Sequence, residues 1–409
     1  MTRPPPLDGI RVLDLSRILA GPWCTQNLAD LGADVIKIER PRVGDDTRAW
    51  GPPYLKDGNG QDTNESAYYL SANRNKRSVE ADMATPEGAA LIRELAAVSD
   101  ILVENFKVGG LAKYGLDYES LKQVNPRLIY CSVTGFGQDG PFAQRPGYDF
   151  MIQGMGGLMS ITGERDDLPG GGPQKAGVAV TDIVTGMYAT VAVLAALQER
   201  HRSGQGQHLD IALLDSHVAL LANQNSNYFN SGVAPTRAGN AHQNVVPYQV
   251  FAASDGHLIV ATGNESQYRA YCRAIGVPEL GDDPRFATNR LRVTNRVELI
   301  GILTDIMREG RRDDWIAKLE AVGVPCGPIN DIAQAFAHPQ AQARQLRRDM
   351  PHPAGGVAPV TASPLRFSDS PVVYRRAPPM LGEHTEEVLR DVLGKSAQAI
   401  AAFKGKAQA

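Results

Sequence analysis

The first forty residues alternate between short apolar runs and one segment whose apolar positions have helical spacing. The runs predict strands over Ile10–Leu15 and Val35–Glu39, and residues 22–31 between them are predicted to be helical. A strand, a helix and a strand in this order form a βαβ unit, which places two parallel strands in one sheet. The opening therefore predicts an α/β fold with a parallel, doubly wound sheet.

The same alternation continues towards the middle of the chain. A helix is predicted over residues 85–98, and apolar runs predict strands over Ile101–Glu104, Leu128–Thr134 and Leu209–Leu213. A long apolar helix is predicted to begin just after Asp182. Each of these elements extends the α/β pattern.

A different pattern begins at Pro247. Two alternating strands surround residues 254–256, which is typical of a hairpin, and helical patterns follow. We therefore expect a smaller α+β domain after the large one. The predicted borders are 1–225 for the first part of the large domain, 226–331 for the small domain, and 332–409 for a return segment that completes the large domain.

Composition and charge exclude several classes of protein. Of the 409 residues, 43% are hydrophobic and the formal net charge is −3, which is typical of a globular protein and gives no reason to expect a nucleic-acid partner. The N-terminus has neither a signal-peptide pattern nor an Arg-rich presequence, and no apolar run approaches about 18 residues. We therefore expect a cytoplasmic protein without a membrane partner.

The cysteines and histidines do not form recognisable sites. The four cysteines and eight histidines lack the spacing of disulfide frameworks, zinc sites or metalloprotease motifs. Neither disulfides nor a bound metal are expected.

A glycine-rich motif follows one predicted strand. GFGQDG, residues 135–140, matches the GxGxxG pattern of dinucleotide-binding loops. Pro141 and the Gln144–Gly147 segment oppose the helix that such a loop must open, so the motif does not favour NAD or FAD. The GxSxG pattern of serine hydrolases is absent.

Basic residues follow several predicted strands. Arg40 and Arg42 come after the second strand, residues 73–77 form a basic cluster, and Arg145 precedes Tyr148. Bases at the carboxyl ends of parallel strands can hold phosphate groups. Most surface Arg and Lys residues are simply solvated, so both interpretations stay open from composition alone.

Asp182 is the one acid in the stretch AGVAVTDIVTGMYA. Asp is a favoured N-cap, and its carboxylate would accept N–H groups from a helix that begins at Ile183 or Val184. The same geometry would hold an ionised oxygen that can attack a carbonyl carbon. The residues alone leave the cap and the nucleophile as alternatives.

Several segments together carry a resemblance that covers nearly the whole chain. These are PLDGIRVLDLSRILAGPWCTQNLADLGADVIKIERP, GDDTRAWGPP, NRNKRSVEADM, DILVENFKVGGLAKYGL, AGVAVTDIVTGMYA, GQGQHLDIALLDS and APPMLGEHTEEVL. In this order they resemble the class III CoA-transferases, the family of formyl-CoA transferase and carnitine CoA-transferase. Within the family the chain is most similar to the succinyl-CoA:glutarate CoA-transferases, on the strength of GDDTRAWGPP and RAGNAHQNVVPYQVF.

The resemblance implies an architecture and a reaction. The architecture is a Rossmann-like large domain built from both chain ends, an inserted small domain, and an interlocked homodimer. The implied substrates are acyl-CoA thioesters and small carboxylic acids, with succinyl-CoA as the expected donor and a dicarboxylic acid as the expected acceptor, and no permanently bound cofactor is implied. Asp182 matches the family nucleophile, which forms an aspartyl anhydride and then an aspartyl-CoA thioester. A dipole at the helix start is expected to keep this carboxylate ionised.

Positions carried over from the family define an expected CoA site. They are Leu19, Ala20, Arg40, Ala81, Ala84, Asn105, Phe106, Lys107, Lys113, Arg145 and Tyr148. Two positions depart from formyl-CoA transferase, since Leu19 replaces an active-site glutamine and Lys113 replaces an arginine. The loop AGNAHQN also replaces a glycine-only flap, so formyl and oxalyl groups are not the expected substrates.

The far carboxylate of a dicarboxylic acid needs a cation, because a buried carboxylate is costly unless it is paired. Arg17 is the first candidate, with bracing of the turn or of a CoA phosphate as its alternative role. Arg48 and the loop with Gly239, Asn240 and His242 are further candidates.

The same family contains 2-methylacyl-CoA racemases, which use a histidine in a GHD triplet as an acid or base. The matching triplet here is Gly147-Tyr148-Asp149. A phenol with a pKa near 10 exchanges protons poorly at neutral pH, so transfer is favoured and racemisation is the alternative.

Overall fold

The structure is a computed structural model that describes residues 3–408. The strands of the described chain are β1 Arg11–Asp14, β2 Asp34–Glu39, β3 Tyr54–Lys56, β4 Asp62–Ser66, β5 Lys76–Glu80, β6 Ile101–Glu104, β7 Ile129–Thr134, β8 His208–Ala212, β9 Tyr248–Ala253, β10 Gly256–Ala261, β11 Cys326–Pro328, β12 Arg347–Pro351 and β13 Val357–Thr361. The α-helices are α1 Ala20–Asp30, α2 Ala67–Ser71, α3 Pro86–Ala97, α4 Tyr118–Val124, α5 Asp149–Met155, α6 Leu158–Ile161, α7 Val180–Ser203, α8 Leu213–Leu220, α9 Asn223–Ser231, α10 Glu265–Ala274, α11 Pro278–Asp282, α12 Asn289–Thr294, α13 Arg296–Glu309, α14 Arg312–Glu320, α15 Ile332–Ala337, α16 Pro339–Ala343, α17 Thr385–Asp391 and α18 Ala397–Gln408.

The chain divides into two compact units. Of the described residues, the first unit contains 3–157, 176–226 and 340–408, and the second contains Leu158–Lys175 and Asn227–Pro339. These borders differ from the predicted ones in two places, since residues 158–175 belong to the second unit and that unit continues to Pro339. Residues 158–175 hold only one four-residue helix, so their apolar pattern gave no sign of the change.

The first unit contains a six-stranded sheet in the order β5-β2-β1-β6-β7-β8, and every neighbouring pair is parallel. This confirms the predicted α/β fold with a parallel sheet. The chain runs outward from β1 to β5 on one side and from β6 to β8 on the other, so the strand order reverses between β1 and β6. In such sheets ligands bind beyond the carboxyl ends of the strands at that point.

Apolar residues cover both faces of this sheet, because successive strand residues point to opposite faces. Val12 of β1 belongs to the buried cluster that contains Leu28 of α1 and Val193 of α7. Leu13, the next residue, belongs to the cluster that contains Ile92 of α3. Burial on both faces explains why these strands are continuous apolar runs in the sequence.

Helix α7 is long and apolar enough to cross a membrane by length and composition, with a mean hydropathy of 1.7 over 18 residues. This corrects the expectation that no apolar run approaches that length. Core helices of globular proteins have the same composition, and Ala189, Val193 and Leu197 of α7 are buried in the first unit's core. The absence of a membrane partner stays a prediction.

The second unit contains the antiparallel sheet β11-β10-β9. Strands β9 and β10 form the predicted hairpin, in which Ala253 pairs with Gly256. Its core includes Phe251, Leu258 and Trp315.

Candidate active site

A cavity of about 560 Å³ lies in the first unit, beyond the carboxyl ends of β1, β2, β5, β6 and β7. Every position expected at CoA lies in its wall: Leu19, Ala20, Arg40, Ala81, Ala84, Asn105, Phe106, Lys107, Lys113, Arg145 and Tyr148. Arg17 and Asp182 line it as well. The volume falls within the range of small-molecule sites, which measure roughly 300–1,000 Å³.

Asp182 is the third residue of α7, not its N-cap. The helix begins at Val180, after Ala179, and no side chain of its own N-cap residue caps it. The cap comes instead from Asp149 of α5, whose Oδ1 accepts the N–H groups of Thr181 at 2.8 Å and Asp182 at 3.3 Å. The predicted cap role of Asp182 is therefore wrong, because Asp149 caps the helix in its place.

The Asp182 side chain is only 8% exposed, so its charge is poorly solvated. Burial raises the pKa of Asp182 to about 7, and the nearby Asp149 carboxylate adds to the increase. Burial and Asp149 thus oppose the ionised form that the helix dipole is expected to favour.

Helices α1 and α7 approach each other closely one turn after Asp182. A Cβ atom added at Gly186 would lie 2.6 Å from the carbonyl oxygen of Ala20 and 3.0 Å from Cβ of Trp23. Only glycine allows this approach, which sets the start of α7 against the start of α1. Gly186 was not singled out in the sequence, because one glycine in a small-residue helix carries no distinctive pattern.

The loop after β1 is held by a buried ion pair. Lys37 Nζ lies 2.9 Å from Asp45 Oδ2, with both side chains fully buried, and it donates to the carbonyl oxygen of Ser16 at 2.8 Å. Asp45 Oδ1 accepts the N–H of Ile18 at 3.2 Å. Ile18 has φ of +71°, a strained conformation for a β-branched residue. Lys37 and Asp45 also line the cavity, although neither was predicted from the sequence.

Arg17 lies next to Ile18 in the same loop. Its Nη1 is 2.7 Å from Asp46 Oδ2, and both side chains are nearly half exposed. Its guanidinium also lies 5.4 Å from the centre of the Phe106 ring. Asn105 fixes the Arg17 backbone through hydrogen bonds of 2.9 and 2.7 Å. Arg17 is thus a cation at the cavity wall. Its ion pair with Asp46 is exposed and therefore weak, so another carboxylate can replace Asp46.

Arg48 lies outside the cavity wall and is not available to an acyl group. It is 7% exposed and donates from Nε and Nη2 to both oxygens of Glu39 at 2.8 Å, and from Nη1 to Glu65 at 2.7 Å. Its guanidinium stacks 3.7 Å from the centre of the Tyr69 ring. The structure therefore removes Arg48 from the candidates for a substrate carboxylate and gives it a structural role.

Gly239, Asn240 and His242 lie in the second unit, between α9 and β9. Gly239 has φ of +59°, and the His242 N–H donates to the carbonyl oxygen of Tyr248 at 3.0 Å. The cavity wall is built from first-unit residues, so these three residues are not part of it.

The cavity carries basic side chains without acidic partners. Arg40, Lys107, Lys113 and Arg145 are exposed, and no ion pair of the described residues includes any of them. Arg145 instead lies 4.6 Å from the centre of the Phe142 ring. Unpaired cations at the ends of parallel strands favour a ligand that carries phosphate groups.

No described residues form a metal-binding group of three or more His, Cys, Asp or Glu side chains. The cavity wall carries the Asp182 carboxyl group together with basic side chains.

Comparison with known proteins identifies the family. The family model described as CoA-transferase family III matches residues 7–385. The chain belongs to this family. The resemblance found in the sequence is thereby confirmed, as is the prediction that the protein is an enzyme of this type.

Several members of this family are similar to the chain along nearly its whole length. The chain is 53% identical to the succinate–glutarate CoA-transferase of Agrobacterium fabrum, over 95% of this chain and 96% of that protein. It is 44% identical to the succinyl-CoA:glutarate CoA-transferase of Homo sapiens, over 97% of this chain and 88% of that protein. A crystal structure of a CAIB/BAIF family protein from Brucella suis is similar with a TM-score of 0.83 and 51% identity, covering 95% of this chain and 100% of that one.

Proposed function

We propose that this enzyme transfers CoA from succinyl-CoA to a dicarboxylic acid of the glutarate class. The observation that carries the proposal is the Asp182 carboxyl group, buried at the wall of a cavity lined with unpaired cations. The names of the two relatives described above point to the same substrates. No permanently bound cofactor is needed, because every bond change is accounted for by a carboxylate and the CoA thiol.

The proposed reaction proceeds through Asp182 in four steps. The Asp182 carboxylate attacks the thioester carbon, the C–S bond breaks, and a mixed anhydride and CoA thiolate form. The thiolate then attacks the Asp182 carbonyl carbon and releases the donor acid, which leaves an aspartyl-CoA thioester. The acceptor carboxylate attacks this thioester to form a second anhydride and thiolate. The thiolate finally attacks the acceptor carbonyl carbon, which yields the new thioester and restores Asp182.

CoA is proposed to lie along the cavity. Arg40, Lys107, Lys113 and Arg145 would neutralise its phosphates, while Leu19 and Ala20 would contact the thioester end next to Asp182. Ala81, Ala84, Asn105, Phe106 and Tyr148 would line the rest of its length.

The quaternary structure is proposed to be the interlocked homodimer of the family, with a Rossmann-like large domain and an inserted small domain. Met187, Tyr188 and Val191 form an apolar stripe on α7 that is 43%, 46% and 60% exposed in the single chain. An exposed apolar helix face suits a partner subunit.

The proposed location of the protein is the cytoplasm, since its four cysteines are free.

The proposed function is tested by incubating the pure protein with succinyl-CoA and a panel of acids, and following the products by mass spectrometry. Glutaryl-CoA or a related dicarboxylyl-CoA is expected. No exchange with any carboxylate would contradict transfer. Deuterium incorporation at the α-carbon of a 2-methylacyl-CoA, without an acceptor acid, would instead indicate the racemase alternative.

The rate of transfer should rise with pH near neutrality, because only ionised Asp182 is a nucleophile. Since the pKa of Asp182 is raised to about 7, kcat/KM for succinyl-CoA should fall about tenfold per pH unit below about pH 6 and level off above about pH 8. Asp149→Asn removes the neighbouring negative charge and should move the profile to lower pH. A flat wild-type profile across this range would show that Asp182 is ionised throughout.

Arg17→Met should remove the preference for a thioester with a free carboxylate. In the wild-type enzyme, Arg17 would pair with the far carboxylate of succinyl-CoA, and butyryl-CoA lacks that group. The variant should lose about thirtyfold in kcat/KM for succinyl-CoA relative to butyryl-CoA, which corresponds to roughly 2 kcal/mol for a hydrogen bond to a charged group.

The matched control for Arg17 is Arg40→Met, another cation of the same cavity. Because Arg40 is proposed to contact CoA rather than the acyl group, its loss should weaken both thioesters equally. Equal damage to both thioesters in Arg17→Met would place Arg17 at CoA or in the loop structure instead.

A further inference from the structure

A second cavity, of about 640 Å³, lies in the first unit between β12 and the chain segment before α17. Its wall includes the bases Arg348, Arg375, Arg376 and His384, the acids Asp349 and Glu383, and Tyr374. None of its lining residues belongs to the CoA cavity. This cavity has no part in the proposed transfer reaction, so its basic wall needs a separate explanation.

Arg348 has no acidic partner. Its guanidinium carbon lies 5.2 Å from the centre of the Tyr374 ring, and no carboxylate within residues 3–408 pairs with it. Its Nε is buried and has no hydrogen-bond acceptor. A buried donor without an acceptor is unfavourable, because it has lost water and gained nothing in return.

The alternation of β12 distinguishes Arg348 from its neighbour. Successive strand residues face opposite sides, so Arg348 faces inward with buried Met350, whereas Arg347 and Asp349 face solvent. Arg347 Nε lies 2.9 Å from Asp349 Oδ1, so the acid next to Arg348 is bonded to the outer arginine.

His384 contributes a second unpartnered group to the same wall. The residue is 8% exposed, and its Nδ1 is buried without a hydrogen-bond partner. Nε2 of the same ring lies 3.8 Å from Glu383 Oε1. A hydrogen on Nδ1 would make that atom a donor, and the wall would then hold two buried donors that lack acceptors.

The wall holds three arginines and only two acids, and of these acids Asp349 already pairs with Arg347. Arg375 donates to the carbonyl oxygens of Gly32 and Ala33 at 3.0 and 2.9 Å, and no described carboxylate pairs with it. Arg376 Nη2 lies 3.2 Å from Glu387 Oε1, but that same oxygen also pairs with Arg77 at 3.3 Å. The surplus positive charge favours an anion.

We propose that this cavity binds a small oxyanion, either a carboxylate or a phosphate, through the Arg348 guanidinium and Nδ1 of His384. Arginine presents its N–H donors in a planar fork that matches two oxygens of either group. The oxyanion would supply the acceptors that both side chains lack.

Thermal unfolding of the full-length protein tests this site, with inorganic phosphate and succinate as separate probes and sodium chloride at equal ionic strength as reference. Excess CoA is present in all samples to occupy the first cavity. At about tenfold above its dissociation constant, the anion should raise the wild-type Tm by about 2–3 °C. Arg347→Met should keep this increase, and Arg348→Met should lose it.

Stabilisation by one probe alone assigns the oxyanion as phosphate or carboxylate. Equal increases in wild type and Arg348→Met, or no increase with either probe, would overturn the proposal. Light scattering tests whether a second copy of the chain occupies the cavity instead. The proposal is wrong if Arg348→Met converts a dimer into a monomer and neither anion stabilises the wild type, because a second copy of the chain then contacts Arg348. If Arg348→Met does not fold, phosphorus NMR of phosphate with the wild-type protein tests the site. Line broadening that succinate reverses would support the proposal, and its absence would overturn it.

Discussion

Replacing Asp182 by Asn is expected to reduce CoA transfer by on the order of 10⁴-fold, because an amide cannot form the anhydride and every later step depends on it. The steady-state rate with succinyl-CoA and glutarate measures this effect. In the wild-type protein, succinyl-CoA without an acceptor should leave an aspartyl-CoA thioester, seen as a mass increase on the peptide that contains Asp182. Substantial activity in the Asn variant would show that Asp182 is not the nucleophile.

The same substitution should leave the protein folded and make it more stable above neutrality. The folded protein keeps the Asp182 proton up to about pH 7, whereas the ordinary value is 3.8. Stability from this raised pKa is fully present below about pH 4 and is lost as the pH rises to about 7. At pH 8 the Asn variant should therefore exceed the wild type in free energy of unfolding, by up to about 4 kcal/mol.

A matched control is Asp215→Asn. Asp215 is the third residue of α8, as Asp182 is of α7, but it is exposed and lies outside the cavity wall. Its loss should change neither transfer nor the dependence of stability on pH. If Asp215→Asn reduced transfer as strongly as Asp182→Asn, a general helix-start effect would explain both results.

The parallel sheet was predictable because its signal is local and repeated. Strands such as Ile101–Glu104 are short apolar runs bounded by polar residues, and their burial on both faces makes those runs continuous. The positions expected at CoA were also found together, since they follow the strands whose carboxyl ends meet at one edge of the sheet.

The details of the site depended on contacts between distant residues. The cap of α7 comes from Asp149, which lies 33 positions before Asp182, so no local pattern indicated that α7 begins at Val180. In the sequence, Arg17 is the first candidate for the cation and Arg48 a further one, and the contacts of neither are visible. Only folding shows that Arg48 is saturated by Glu39 and Glu65, while Arg17 stays at the cavity.

Lys37 and Asp45 were missed for a related reason. A lysine within the apolar strand Asp34–Glu39 resembles a solvent-facing position of an edge strand. In the folded protein, β2 lies between β1 and β5, so Lys37 is fully buried and must be paired. Its partner Asp45 belongs to the following loop, and a sequence gives no means of matching the two.

Asp45→Asn is expected to destabilise the protein by about 3–5 kcal/mol, because it leaves the buried Lys37 ammonium without its acid. Because Asn has nearly the same size as Asp, the loss of stability measures the contribution of the negative charge of Asp45. Burial by itself would raise the pKa of Asp45, but Lys37 and the hydrogen bonds from Thr47 hold this pKa below its ordinary value of 3.8. The stabilising effect of the Asp45 charge is thus present at neutral pH and is lost as the pH falls below that value.

Urea unfolding at pH 7 and at about pH 2.5, which is below the ordinary Asp value of 3.8, measures this prediction, and the difference between wild type and Asp45→Asn should shrink at the lower pH. The control is Asp62→Asn, which breaks the exposed pair of Lys56 and Asp62 and should cost less than about 1 kcal/mol. Transfer should also slow in Asp45→Asn, since Asp45 accepts the N–H of Ile18 in the strained loop beside Arg17. If Asp45→Asn were as stable as Asp62→Asn, the buried charge of Asp45 would contribute nothing to stability. The loop would then be held by its other contacts.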